Sequence, residues 1–175
     1  MGPEVLRVEE ILAERSNTNY CITCGSGTDA LTIPLMAANI SKDDVVFVPS
    51  FTFTSSAEVI ALRGATPFFV DINHRTFNMD PESLELSIKE CIRSGGSPKA
   101  IITVDLFGQP VDFDSIISIA EKYNLWILDD AAQSFGANYK SKPMGSFARV
   151  TATSFYPSKP LGCYGDGGAI LTNDE

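Results

Sequence analysis

Short, mainly apolar runs recur along this chain and alternate with segments of helical periodicity. Val45 to Val48, Pro67 to Ile72, Ala100 to Leu106 and Leu125 to Leu128 are too short for buried helices, and they lack the apolar–polar alternation of a strand with one wet face. A strand of this kind has to be covered on both sides, which is the situation of a parallel sheet whose strands are joined by helices. The intervening segments supply those helices. Residues 4 to 15 place Val5, Leu6, Val8, Ile11 and Leu12 among charges, and helical patterns follow at 29 to 38, 54 to 63, 80 to 93 and 112 to 123. Further strands are predicted at 20 to 24, 150 to 155 and 169 to 172. The expected architecture is α/β: three layers, α/β/α, around a mostly parallel sheet, with function at the carboxyl ends of the strands.

Local signals sharpen some boundaries. Asp80-Pro81 reads as a helix start, with Asp as N-cap and Pro at the first helical position, and Pro34 should kink its helix unless it falls in the opening turns. Ser94-Gly95-Gly96-Ser97-Pro98 reads as an exposed loop.

At 175 residues with 44% apolar and 20% charged side chains, the chain can bury a real core as one domain spanning residues 1–175. A formal charge of -9 and a pI near 4.5 argue against nucleic acid or an anionic membrane as partner, since either calls for a concentrated basic face. No apolar run reaches membrane-spanning length and the N-terminus does not resemble a signal peptide, so a cytoplasmic protein is expected. The four cysteines are few and scattered, and a single His74 leaves little for a metal site; buried free thiols and no metal are expected. Cys21 and Cys24, three apart in a strand, would face opposite sides of the sheet.

Four loops carry the chemistry. Gly25-Ser26-Gly27-Thr28 joins a strand to a helix, where backbone N–H groups, the Thr28 hydroxyl and the helix N-terminus suit a phosphate; a plain tight turn is the alternative. Ala30 stands where a dinucleotide fingerprint needs its third Gly, and there is no Walker lysine. Phe51-Thr52-Phe53 follows a strand ending at Pro49 and offers an aromatic plate, although such residues more often enter the core. Asp129 and Asp130 end another strand, where two carboxylates are costly unless a cation meets one, or unless they cap a helix. Finally Lys159 sits in Ser-Phe-Tyr-Pro-Ser-Lys-Pro-Leu-Gly, ringed by small residues, with Ser154 five positions before it. Lysine is the side chain for imine chemistry with carbonyl groups. Phosphate cradle, aromatic plate, acid and amine together describe pyridoxal 5′-phosphate.

Several motifs in this order resemble the DegT/DnrJ/StrS sugar aminotransferases: Gly-Ser-Gly-Thr-Asp-Ala-Leu, Pro-Ser-Phe-Thr-Phe, Gly-Ala-Thr-Pro-Phe-Phe-Val-Asp-Ile, Asp-Asp-Ala-Ala-Gln-Ser-Phe-Gly-Ala and the lysine segment with Gly-Asp-Gly-Gly. The likeness is strongest to the branch that aminates C3 of UDP-2-acetamido-2-deoxy-3-keto-glucuronic acid in bacterial polysaccharide biosynthesis, lipopolysaccharide included. The resemblance implies the large domain of the type I fold of pyridoxal-phosphate enzymes. It implies that Lys159 binds the cofactor covalently and then shuttles a proton, that Asp130 pairs with the ring nitrogen, and that Gln133 lies near the phenolic oxygen. Phe53 would stack on the ring, Gly27, Thr28 and Ser154 would hold the phosphate, and Ser158 would touch the nucleotide sugar. Lysine at 159 separates the chain from the dehydrating branch, which has histidine there.

Family members carry an extra N-terminal segment and a C-terminal small domain, so the resemblance also implies a fragment, a homodimer in the full-length protein, and surface exposed here that is covered there. The expected activity is transamination from an amino acid, with glutamate as the expected donor, to a keto-sugar nucleotide. A fragment that binds the cofactor without turnover is the alternative. A nucleotide-sugar dehydrogenase would need the fingerprint that residues 25 to 30 lack.

Overall fold

A computed structural model describes residues 2–175. Its helices are α1 (Pro3–Ser16), α2 (Gly27–Ala37), α3 (Ser55–Leu62), α4 (Pro81–Arg93) and α5 (Phe113–Tyr123). Its strands are β1 (Tyr20–Cys24), β2 (Asp44–Pro49), β3 (Thr66–Val70), β4 (Ser97–Val104), β5 (Trp126–Asp130), β6 (Asn138–Tyr139), β7 (Lys142–Pro143), β8 (Val150–Ser154) and β9 (Gly168–Thr172).

Seven strands form one sheet in the order β1-β9-β8-β5-β4-β2-β3. β8, β5, β4, β2 and β3 are parallel neighbours, while β9 is antiparallel to both β8 and β1. β1 therefore points the same way as β8, and β9 alone among these strands is reversed. The carboxyl ends of β1, β2, β4, β5 and β8 consequently share one edge. The sheet is mostly parallel, as the apolar runs require; the reversal of β9 has no signature in those runs.

Alternation along the strands divides the core into two sides. Val46, Val48, Ile102 and Leu128 pack with Leu31 and Leu35 of α2 and Val59 and Ile60 of α3. Their sequence neighbours Val45, Phe47, Ile101 and Ile127 pack with Leu84 and Ile88 of α4 and Ile116 of α5. On that second side Leu12 of α1 meets Cys21, Ala169 and Leu171. These layers exist because helices with an apolar stripe have a two-sided sheet to cover; each fully buried Leu, Ile or Phe adds roughly 1.5–3 kcal/mol. Cys21 packs under α1 and Cys24 against the α2 side, opposite faces as their spacing requires.

Helix ends follow their local chemistry. The Asp80 side chain accepts the Ser83 N–H at 2.9 Å with Pro81 at the start of α4, and Asp112 caps α5 in the same way. Pro34 lies deep in α2, which runs on to Ala37. Several expectations need correction. β4 begins at Ser97, so the predicted 94–98 loop is a turn that becomes strand, and it ends at Val104, after which Leu106–Gly108 form a short 3-10 turn. β5 takes in both Asp129 and Asp130 and leads into turns, so neither caps a helix. The β6–β7 hairpin was not foreseen; its strands are two residues each. Cys163 is exposed rather than buried.

Candidate active site

At the shared carboxyl edge, β1 passes into α2 through Gly25 and Ser26. The Ser26 hydroxyl accepts the Asp29 N–H at 3.1 Å, which leaves the N–H groups of Gly27 and Thr28 as first-turn donors without a partner inside the helix. Gly27 is glycine for lack of room: a Cβ there would lie 2.6 Å from the Cβ of Ser154. Ser154 ends β8, and its close approach brings its hydroxyl to the helix N-terminus. The Thr28 and Ser55 hydroxyls are 3.2 Å apart. Unpaired amides, three hydroxyls and the positive end of a helix converge there, a donor set for an anion.

Asp130 ends β5 with its side chain buried. Its Oδ2 accepts the Ser56 hydroxyl at 2.8 Å and its Oδ1 the Ala132 N–H at 3.2 Å. Burial pushes the carboxyl above its usual range; the Ser56 hydroxyl, the Ala132 N–H and the charge of Lys159 pull it back down. Asp129, on the other face of the sheet, accepts the Thr103 hydroxyl at 2.8 Å, and its Oδ2 has no hydrogen-bond partner. Burial first, then the neighbouring Asp105 and Asp130 carboxylates, hold Asp129 well above the carboxylate range. The adjacent acids thus differ: Asp129 is buried in the core with its protonated form favoured, Asp130 an anchored acid at the floor of the edge.

Lys159 lies in the loop between β8 and β9. Its backbone N–H donates to the Tyr156 carbonyl at 2.8 Å, and the loop is closed at its base by the Phe155 N–H on the Gly167 carbonyl at 2.7 Å. The Lys159 Nζ stands 5.9 Å from the centre of the Phe53 ring. Phe53 is 66% exposed, so the core placement more common for such a residue does not apply. A cavity of about 620 Å³ is lined by Gly27, Thr28, Phe53, Asp130, Ser154, Ser158 and Lys159. Seven of the eight residues singled out in the sequence therefore meet around one space.

Gln133 is the exception. It is absent from the cavity wall, and its Oε1 accepts the Phe107 N–H at 2.8 Å, which turns that end of the amide toward the β4–α5 connection. Ala132 lines the cavity in that stretch. Sequence reasoning also missed Ser55, Ser56, Tyr156 and Asp166. Two consecutive serines opening a helix of low polarity were a readable signal, because buried hydroxyls in such a place need partners. A second cavity, about 430 Å³, lies between α2 and the opposite strand ends, with Ile22, Ile33, Ala37 and Val150 in its wall. Its wall is mainly apolar, with Arg149, Thr172, Asp174 and Glu175 among its residues, and it holds no lysine and no helix N-terminus. Among the described residues, no group of three or more His, Cys, Asp or Glu could hold a metal, and no helix is long and apolar enough to cross a membrane.

The model of the DegT/DnrJ/EryC1/StrS aminotransferase family matches residues 1–175. The chain belongs to this family. Similar proteins include the UDP-2-acetamido-2-deoxy-3-oxo-D-glucuronate aminotransferase of Pseudomonas aeruginosa, 51% identical over 175 residues, covering 100% of this chain and 47% of that protein. A DegT/DnrJ/EryC1/StrS aminotransferase of Brucella abortus superimposes with a TM-score of 0.98 at 51% identity, covering 99% of this chain and 47% of that one. NtdA of Bacillus subtilis, solved with bound cofactor PMP, superimposes with a TM-score of 0.90 at 34% identity, covering 100% of this chain and 38% of the other. The chain spans about half the length of the curated relatives it matches. Its fold is that of the corresponding half of these aminotransferases.

Proposed function

We propose that residues 1–175 form the cofactor-holding large domain of a pyridoxal-phosphate-dependent aminotransferase acting on a keto-sugar nucleotide. The single observation that carries the reading is the convergence of Lys159, Asp130, Phe53 and the Gly27–Thr28–Ser154 cradle on one cavity. The residues fit the cofactor. A Cβ at Gly27 would fill the space beside Ser154, and the donors at that end accommodate a phosphate. Phe53 presents a ring face, and Asp130, held by Ser56 and Ala132, presents an acceptor suited to a protonated ring nitrogen.

The chemistry such a cofactor supplies when bound is an electron sink for the carbon next to the transferred nitrogen. The chain's own residues do the rest. The α2 N-terminus and its hydroxyls orient by holding the anionic end. Asp130 would hold a proton at the ring nitrogen, and the positive charge met there would offset the cost of its burial. Lys159 Nζ would hold the reacting end and, once released, would be the amine placed to move a proton there. Ser158, exposed at the cavity mouth, is placed to meet substrate.

The P. aeruginosa relative, a UDP-2-acetamido-2-deoxy-3-oxo-D-glucuronate aminotransferase, supports a UDP-linked 3-oxo sugar acid as substrate; bacterial polysaccharide biosynthesis, lipopolysaccharide included, is the context proposed for it. Glutamate as donor, a homodimeric full-length protein and a cytoplasmic location complete the proposal. The chain with added pyridoxal phosphate should show a visible absorbance band, and borohydride should fix a mass increment on the peptide containing Lys159. Lys159→Ala should lose the increment; an equal increment in the variant defeats the assignment. Bleaching of the band by glutamate separates a transaminating domain from one that only binds.

A further inference from the structure

Asp105 follows β4 and is completely buried, yet it pairs with no cation; the ion pairs among the described residues all lie elsewhere on the surface. Its polar atoms hold other segments instead. Oδ1 accepts the Val111 N–H at 2.8 Å, Oδ2 accepts the Ser134 hydroxyl at 2.7 Å, and the Asp105 N–H donates to the Asp130 carbonyl at 3.1 Å. The end of β5, the turn that follows it and the connection from β4 to α5 thus meet on one residue. Asn78 braces the same knot by accepting the Leu106 N–H at 3.0 Å and donating to the Gln109 carbonyl at 2.8 Å.

A buried acid without a cation is a poor way to gain stability, because desolvation costs several kcal/mol and apolar packing of similar volume does as well or better. Asp105 is therefore better explained by the position it imposes. What it holds is the stretch that runs from Asp130 to Ser134, which carries the acid at the cavity floor and Ala132 in its wall. The Ala132 N–H in turn donates to Asp130 Oδ1, so displacement of the turn is displacement of the carboxylate's own hydrogen-bond partner.

We propose that Asp105 is a positioning residue for Asp130, tying the turn after β5 so that the Asp130 carboxylate is presented to the cavity at one height and tilt. What Asp130 meets there rests on the proposed function; the tie itself exists without any ligand. The acidic groups near Asp105 are Asp130 and Asp129, of which Asp129 lies on the same side of the sheet as Asp105. Asp105→Asn keeps an oxygen for Val111 and an amide that can donate to Ser134, whereas Asp105→Ala removes both side-chain ties.

Two measurements test this on the full chain. In the ligand-free protein, hydrogen exchange at the Ala132 amide should quicken about tenfold in Asp105→Ala, since tenfold corresponds to the ~1.4 kcal/mol of one net hydrogen bond. Asp105→Asn should stay within about threefold, and the Ile127 and Leu128 amides should be unchanged. Pyridoxal phosphate affinity should fall about tenfold in Asp105→Ala when Asp130 is present but less than about twofold in an Asp130→Asn background. An unchanged Ala132 rate, an equal loss of affinity in both backgrounds, or Asp105→Asn behaving like Asp105→Ala overturns the proposal. If Asp105→Ala does not fold, Ser134→Ala decides: faster exchange at Ala132 supports the tie and an unchanged rate overturns it. A wild-type chain that binds no pyridoxal phosphate overturns the functional reading alone, the exchange comparison still deciding the role of Asp105.

Discussion

Replacing Gly27 with alanine adds one methyl where the chain has no space for it. The new Cβ would lie 2.6 Å from the Ser154 Cβ, 3.0 Å from its Oγ and 3.3 Å from its Cα. Ordinary van der Waals contact begins at 3.4 Å, so the α2 N-terminus and the end of β8 must part by up to about 0.8 Å. Neither side yields easily. The Ser154 atoms are fixed by its backbone within β8, which is paired on both edges, and Ser26 is held by its cap to Asp29. Overpacking of this kind costs roughly 1–3 kcal/mol. The separation falls across the cradle that would grip a phosphate, where a shift of this size weakens several donor contacts at once. Pyridoxal phosphate affinity should therefore drop by about 10- to 100-fold, or 1.4 to 2.7 kcal/mol. Titration followed by absorbance reads the affinity and thermal melting reads the stability. Gly165→Ala is the control, since a Cβ there meets nothing within 4 Å. If Gly27→Ala binds within about twofold of wild type, the cradle does not hold the cofactor and the reasoning fails.

Other outcomes follow from single contacts. Ser56→Ala leaves Asp130 Oδ2 without its 2.8 Å donor and should lower stability by about 1–3 kcal/mol together with cofactor affinity, both measured as above; an unaltered affinity removes Ser56 from the site. Gly168→Ala places a Cβ 2.4 Å from the Ser26 carbonyl oxygen and should prevent stable folding or lower the melting point sharply, by more than Gly27→Ala does. Asp80→Ala removes the α4 cap and should cost about 1 kcal/mol in denaturant melts without altering cofactor binding. Burial pushes the Asp105 carboxyl up to about 7, so the folded chain holds that proton more tightly than the unfolded chain. Its stabilising contribution is complete below about pH 4 and is lost as the pH rises through 7, an effect of order 4 kcal/mol at most. The melting temperature should decline between about pH 5 and 8 and decline less in Asp105→Asn; a melting temperature that rises over this range in the wild type contradicts the linkage.

Much of this arrangement was legible from residue order. Strands without a polar face imply helices on both sides, and Asp80-Pro81 marked the start of α4 because cap and ring constraint act locally. Lys159 was conspicuous because small residues and prolines around a lone amine are a poor packing scheme. What was not legible depends on distant parts of the chain. The direction of β9 is set by its partners β8 and β1, not by its own residues. Phe53 looks like core in one dimension and lies open because it falls in the irregular stretch between the end of β2 at Pro49 and the start of α3 at Ser55. Asp129 and Asp130 are alike as letters, and the pleat sends them to opposite faces, one into the core beside Thr103 and one to the cavity. Gln133 was read from a resemblance, while the side chain's oxygen went to the Phe107 N–H, a donor whose nearness only the folded β4–α5 connection creates.

The pairing of β1 with β9 bears on the order in which this domain assembles. The Asn19 N–H reaches the Asn173 side chain across 154 positions, and the register from Tyr20↔Thr172 to Cys24↔Gly168 links the first strand to the last. Gly27 follows β1 and Ser154 ends β8, the strands on either side of β9, so their contact lies across that seam. Long-range pairings form late because their loop entropy has to be met before any contact returns it. A chain growing from its N-terminus therefore builds β2 to β5 and their helices well before the anion cradle exists. Refolding followed by cofactor capture should lag behind refolding followed by helix signal, and a ligand that bridges the seam would act as a latch on the slowest contact of the fold.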